Sequence, residues 1–329
     1  MKAFISLSRA SGNHLPFPIN RNTPQGDKNY KAPTFPILPF EKYSGNPIIA
    51  PDASHNWESA YTYNPTAIVL KETIFLLYRA QNSSKTSSIG LAWSTDGTSF
   101  TRLPDPIVYA TESYEQGGGT EDPRIIRVNG IFYLTYTGYD TKTARLCLAT
   151  STDLLHWNKH GPLFPNSPHS KSGAIIDQKA SDGLYHMYLN DSNMAQATSP
   201  DLINWSLTAK EPFAKPADDW DADLIEPGPP PVKTSNGSLI LFYNGRANGK
   251  GGYVDTSYST GQMLIDPTDE NGPLNRLAKP FLIPQTAQET QGQVPEVVFS
   301  EGLVQYKGKW YLYYGQSDTT LGVAIADVQ

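Results

Sequence analysis

The chain has 329 residues, 38% of them hydrophobic and 11% aromatic, with a formal charge of −6 at neutral pH. That composition can bury a large core and excludes intrinsic disorder, while an acidic balance without a basic stripe argues against nucleic acid or an anionic membrane surface as a partner. No apolar run is long enough to cross a membrane as a helix, and the start, Met1 to Leu7, is too short and too soon polar for a signal peptide, so the compartment stays open between cytoplasm and export.

Residues 1–44, rich in Pro and Asn, read as an irregular arm that leads into Gly45-Asn-Pro47. The arm either packs across the remainder of the chain or makes contacts with another subunit of a homo-oligomer. Residues 45–329 read as one domain, because the same signals recur there without a linker. Five segments end an apolar, aromatic strand in Tyr: Phe75 to Tyr78, Tyr133 to Tyr136, Tyr185 to Tyr188, Ile240 to Tyr243 and Tyr311 to Tyr314. Their spacing fits a four-stranded antiparallel unit with its loops, and 27 Pro and 26 Gly supply the turns. Three units carry an echo, a strand ending in Ser94, Ser151 or Ser199, then Asp96, Asp153 or Asp201, then Phe100, Trp157 or Trp205. This predicts a tight Ser/Asp turn and a return strand whose aromatic ring packs between neighbouring units. Long helical periodicity is nearly absent, so the expectation is an all-β fold, a five-bladed β-propeller. The single cysteine, Cys147, lies in an apolar run and reads as a buried thiol.

In a propeller the inner strands converge on one axis, which brings together Asn64 with Arg79, Glu121 with Asp122 and Arg124, Lys171, Glu226, and Glu301 with Asp318. The stretch Gly117 to Ile125 is the sharpest of these: glycines free the backbone, Pro123 restricts Asp122, and a strand is expected from Ile131 to Thr137. An isolated Asp-Pro is more often a plain turn, but acids at corresponding places of several units are harder to dismiss as a solvated face. Two carboxylates, one protonated and one ionised, are what glycoside cleavage requires. Glu226 stands in a stiff, otherwise apolar segment, Leu224 to Pro231, where an unpaired charge is costly. The six His residues show no paired metal spacing, and neither a phosphate-binding loop nor a dinucleotide fingerprint occurs, so no metal and no cofactor is expected.

Seven segments in order, among them Tyr63-Asn-Pro-Thr-Ala67, Tyr78-Arg-Ala-Gln81, Glu121-Asp-Pro-Arg124, Gly228-Pro-Pro-Pro231 and Tyr313-Tyr-Gly-Gln-Ser-Asp-Thr319, resemble glycoside hydrolase family 130 from about Gly45 onward. The resemblance implies a five-bladed fold acting on β-mannosides with inversion, by hydrolysis or by phosphorolysis. It implies Asp122 as general acid, acting directly or through a sugar hydroxyl, and Asn64, Arg79 and Asp318 as sugar contacts. Where phosphorylases of the family carry basic residues this chain reads Leu224, Asn244 and Asn190, and Glu226, Glu301 and Lys171 resemble the hydrolytic branch. Arg145 and Arg246 remain as candidate phosphate ligands. The expectation is thus an inverting exo-β-mannosidase on β-1,2-linked oligosaccharides, with Asp122 as acid and Glu226 or Glu301 as base. The alternatives are a phosphorylase of the same family, a propeller glycosidase for another sugar, and a non-catalytic carbohydrate-binding propeller.

Overall fold

The computed structural model describes residues 4–5, 14–167, 169–208 and 212–329. Its strands form five antiparallel units. The first holds Tyr61–Leu70, Thr73–Gln81, Ser87–Ser94 and Thr101–Arg102; the second Gly119–Val128, Ile131–Tyr139, Ala144–Ser151 and Trp157–Pro162. The third holds Ala174–Ile175, Tyr185–Leu189, Ala195–Ser199 and Ser206–Leu207; the fourth Leu224–Pro227 and Val232–Lys233, Leu239–Arg246, Tyr258–Ile265 and Asn275–Arg276. The fifth runs Val298–Tyr306, Lys309–Gln316 and Thr320–Asp327, and takes its outermost strand, Glu41–Lys42, from the N-terminal segment. One parallel pair, Ser87 with Gly119, joins the first two units into a nine-stranded sheet, which Phe4–Ile5 extends at its far edge. No sheet closes on itself among the described residues, yet each unit packs on the next and the first strand of the fifth packs on that of the first.

The five Tyr residues of the sequence repeat sit at one place in each unit, and their hydroxyls show why. In four units a short helical turn ahead of the first strand, Asn56–Glu58, Ser113–Glu115, Asp219–Asp221 or Ala287–Thr290, presents a fully buried acid. Tyr78 donates to Glu58 at 2.8 Å, Tyr136 to Glu115 at 2.8 Å, Tyr243 to Asp221 at 3.1 Å and Tyr314 to Glu289 at 2.8 Å. A cation on the outermost strand completes each node: Arg102, Lys159, Arg276 and Lys42 respectively. The node thus ties inner turn, second strand and outer strand together, and hydrogen bonds to charged groups are each worth about 1.5–3 kcal/mol. The Tyr ring needs room from the third strand. Gly90, Gly261 and Gly322 lie opposite Tyr78, Tyr243 and Tyr314, and a Cβ at Gly90 or Gly261 would meet the Tyr ring within 3.0 Å. Opposite Tyr136 the same place is Cys147, a buried thiol whose pKa burial pushes up to about 12. The third unit departs: Tyr188 faces Gln196, whose amide reaches the phenol only at 3.4 Å.

The Ser/Asp turns form as expected. Asp96, Asp153 and Asp201 donate their backbone N–H to Ser94, Ser151 and Ser199, and their carboxylates accept from the amides two and three residues on. Trp157 and Trp205 then turn inward and donate their ring N–H to Leu154 and Leu202.

Candidate active site

The strand expected after Asp122 is present as Ile131–Tyr139, but Asp122 is not in the turn ahead of it; it lies inside a strand of its own. Gly119–Val128 is itself the first strand of the second unit, and its register slips between Glu121 and Arg124. Asp122 occupies that bulge with φ 48°, a backbone region rare for non-glycine residues. The first unit repeats the device: its first strand slips between Tyr63 and Pro65 with Asn64 at φ 47°. A bulge re-aims one side chain out of the alternation of the strand, so the Asn-Pro and Asp-Pro pairs deliver their first residues to a common point. Asn64 donates to Asp122 Oδ1 at 2.8 Å. Gly315 permits this, since a Cβ there would lie 2.6 Å from Asn64 Oδ1.

Around this point the five units bring together all nine residues expected from sequence. Arg79, lying over the Tyr63 ring, donates to Asp122 at 2.9 Å and to Glu121 at 2.7 Å. Lys171 Nζ lies 3.7 Å from Asp122 Oδ2 and 3.1 Å from Glu226 Oε1, which also accepts the Ser172 hydroxyl. The shared ammonium caps the distance between those two carboxylate oxygens at about 6.8 Å, a bound that admits both the ~5–5.5 Å spacing of retaining glycosidases and the low end of the ~6.5–9.5 Å spacing of inverting ones. Arg124, buried between units, donates to the carbonyls of Pro227 and Gly228 in the fourth unit and lies 3.3 Å from Glu301 in the fifth. Both Glu301 carboxylate oxygens are buried without a hydrogen-bond partner among the described residues. Asp318, at φ 50°, is close enough to Arg79, Asp122 and Lys171 for each to act on its titration.

The acids are not equivalent. Burial pushes Asp122 up, but Arg79 and Lys171, with the Asn64 amide, outweigh it and hold this carboxyl well below the usual range. Glu301 goes the other way, since burial outweighs Arg124 and the Asp122 and Glu226 charges add to it, so it is held well above that range. Burial also raises Asp318, against Arg79, to about 6. Burial and like charge thus favour the protonated form at Glu301, while the neighbouring cations favour the carboxylate at Asp122.

Sequence reasoning missed Ser172, which binds Glu226, and Ser87, which binds both Arg79 and Glu121. It also missed Tyr258, whose phenol is raised to about 12 by burial and by Glu226. Small hydroxyl residues in strands carry no signal of their own, although Ser172 adjoins Lys171. Asn244 is spent on structure: it bonds both backbone groups of Ser300 and the Thr260 hydroxyl.

The family model described as beta-1,4-mannooligosaccharide phosphorylase matches residues 28–329. The chain belongs to glycoside hydrolase family 130. Among the family's curated members, a 1,2-beta-oligomannan phosphorylase of Thermoanaerobacter sp. strain X514 is 30% identical over 304 residues, 89% of this chain and 99% of that protein. A beta-1,2-mannobiose phosphorylase of the same strain is 31% identical, covering 87% and 96%. A solved family-130 structure, reported with the finding that this family of mannoside phosphorylases contains glycoside hydrolases targeting β-1,2 mannosidic linkages in Candida mannan, is 35% identical. It covers 91% of this chain and 99% of its own, with a TM-score of 0.84.

Proposed function

We propose that the five units are the blades of a β-propeller and that the protein hydrolyses β-mannosides, β-1,2-linked ones in particular, with inversion and from a chain end. The balance of charge in the site carries the choice of water over phosphate. With Glu301 favoured in its protonated form, four further acids, Glu121, Asp122, Glu226 and Asp318, stand with three cations, Arg79, Arg124 and Lys171, and Arg79 and Lys171 each already have two of those acids beside them. A phosphate dianion entering there would face more like charge than opposite. The two arginines that could have offset this are themselves paired, Arg145 with Asp140 at 2.8 Å and Arg246 with Asp223.

In this reading Glu226, placed by Lys171 and Ser172, activates the water, and Asp122 gives the proton to the leaving oxygen, directly or through a sugar hydroxyl. Asp122 gains its proton when the sugar enters, because the sugar separates it from Arg79 and Lys171. Asn64, Arg79 and Asp318 hold the sugar. A second reading, phosphorolysis at the same site, is favoured by the curated relatives at 30% and 31% identity, both phosphorylases. Incubation with β-1,2-mannobiose with and without phosphate separates the two. Free mannose at a rate indifferent to phosphate is expected; mannose 1-phosphate, formed only with phosphate, would establish the second reading and give Arg145 and Arg246 the role of its ligands.

A further inference from the structure

The inner strands have a second end, and a cavity of about 390 Å³ opens there, in the size range of small-molecule sites. It is lined by residues 67–69, 125–127, 177–178, 230–233 and 303–305, each group further along its unit than the catalytic residues. Arg124, bonded across units to Pro227 and Gly228, lies between the two mouths.

The N-terminal segment builds one wall and is fixed in place. Gly26 donates to the Val69 carbonyl, Arg127 donates to the carbonyls of Asn20 and Thr23, and Lys31 exchanges two hydrogen bonds with the Gln305 amide. This holds Tyr30 in the cavity with its ring edge-on to Trp310 at 6.0 Å and 47% of its surface exposed. Asp177 acts electrostatically on the Tyr30 phenol from the other side. Asp177, Gln178 and Lys233 offer side chains that bond no other described residue, and two acids, Asp27 and Asp177, against two bases, Arg127 and Lys233, leave the cavity near neutral. A second hollow of about 400 Å³ shares Gln178 and Lys233 and runs outward past Asn236, Ser238 and Thr268.

An exposed aromatic ring beside an unpaired carboxylate, amide and ammonium suits a ligand with apolar faces and many hydroxyls, and two joined hollows suit a chain of such units. We propose that this far mouth is a second, non-catalytic site for a neutral oligosaccharide, the inner sugar lying on Tyr30 and the chain crossing Gln178 and Lys233. With the substrate class proposed above, on which this rests, the ligand is a remote stretch of the same mannan, whose capture raises the effective concentration of chain ends.

The test is electrophoresis of the full-length protein in gels containing β-1,2-linked mannan, xylan or galactan, with cleavage of β-1,2-mannobiose and of mannan measured in parallel. Tyr30→Ala is expected to lose the retardation by mannan and at least threefold of kcat/KM on mannan, and to cleave mannobiose within twofold of wild type. Asp177→Asn, on a different segment, should weaken retardation in the same direction and guards against a local defect in the arm. Retardation by xylan or galactan that Tyr30→Ala abolishes, without mannoside cleavage, would keep the site and overturn the mannoside reading. No retardation in any gel, or equal retardation of wild type and both variants, overturns the site.

Discussion

Asp122 and Glu301 share one site and are pushed in opposite directions, and the protonation of each decides what it can do. Asp122→Asn keeps the shape and the Asn64 contact but removes the transferable proton, so kcat on mannobiose should fall about 10²–10⁴-fold. Because Arg79 and Lys171 hold the carboxyl low, the folded variant should also melt lower than wild type at pH 7 and approach it on acidification. If Asp122 is protonated only once a sugar shields it from Arg79 and Lys171, the fall of kcat at high pH should lie at higher pH than that of kcat/KM, which reports the free enzyme. Coincident limbs near pH 6 that vanish in Asp318→Asn would instead give the proton to Asp318. Asp318 also has a stability signature. Its folded pKa is raised from 3.8 to about 6, so it costs nothing below pH 4, and stability is lost as pH rises through 6. Asp318→Asn should therefore melt higher than wild type at pH 7 and equally at pH 4, while losing sugar affinity. The residue scale was the most legible, because Asn-Pro and Asp-Pro announce constrained backbone. That each pair is a bulge within a strand was not legible, since a run of Gly, Asp and Pro has the composition of a turn.

The Tyr-carboxylate-cation node explains an element-level repeat of which the sequence showed only one part. Strand-ending Tyr residues stood out because apolar runs surround them. Their acids did not, because Glu58, Glu115, Asp221 and Glu289 lie in polar stretches where a lone acid is ordinarily solvated. The missed signal is an acid, following Trp57, Tyr114 or Trp220 in three cases, that precedes each Tyr by 20, 21, 22 or 25 residues. Tyr136→Phe leaves the buried Glu115 short of a donor and should cost about 1–3 kcal/mol in denaturant unfolding. Tyr188→Phe gives up only a 3.4 Å contact with an amide and should cost at most about 0.5 kcal/mol. Equal losses would mean that ring packing, and not the node, fixes these residues.

At the scale of the molecule the N-terminal segment supplies a strand, Glu41–Lys42, that pairs with the last strand of the chain and completes the fifth unit. Asn64 and Asp122 belong to the first two units and Glu301 and Asp318 to the fifth, so any loosening between Glu41–Lys42 and Thr320–Asp327 reaches the candidate site. The Tyr repeat was readable from sequence in every unit, but the strand supplied by Glu41–Lys42 was not, because two polar residues carry no period. Lys42 closes the unit chemically as well, donating to the fully buried Glu289 at 2.6 Å. Lys42→Met strands that carboxylate and should cost about 3 kcal/mol at pH 7. Lys42→Met with Glu289→Gln should recover most of the loss, since no uncompensated charge is then buried. Burial raises the Glu289 carboxyl, but Lys42 and the Thr286 and Gln285 amides outweigh it and hold it below its usual 4.5. The stability it contributes is therefore present above pH 4.5 and lost as pH falls through the folded value, so wild type and Lys42→Met should converge on acidification. A gap between them that persists unchanged at about pH 3 would show that Lys42 acts through packing of the outer strand and not through its charge.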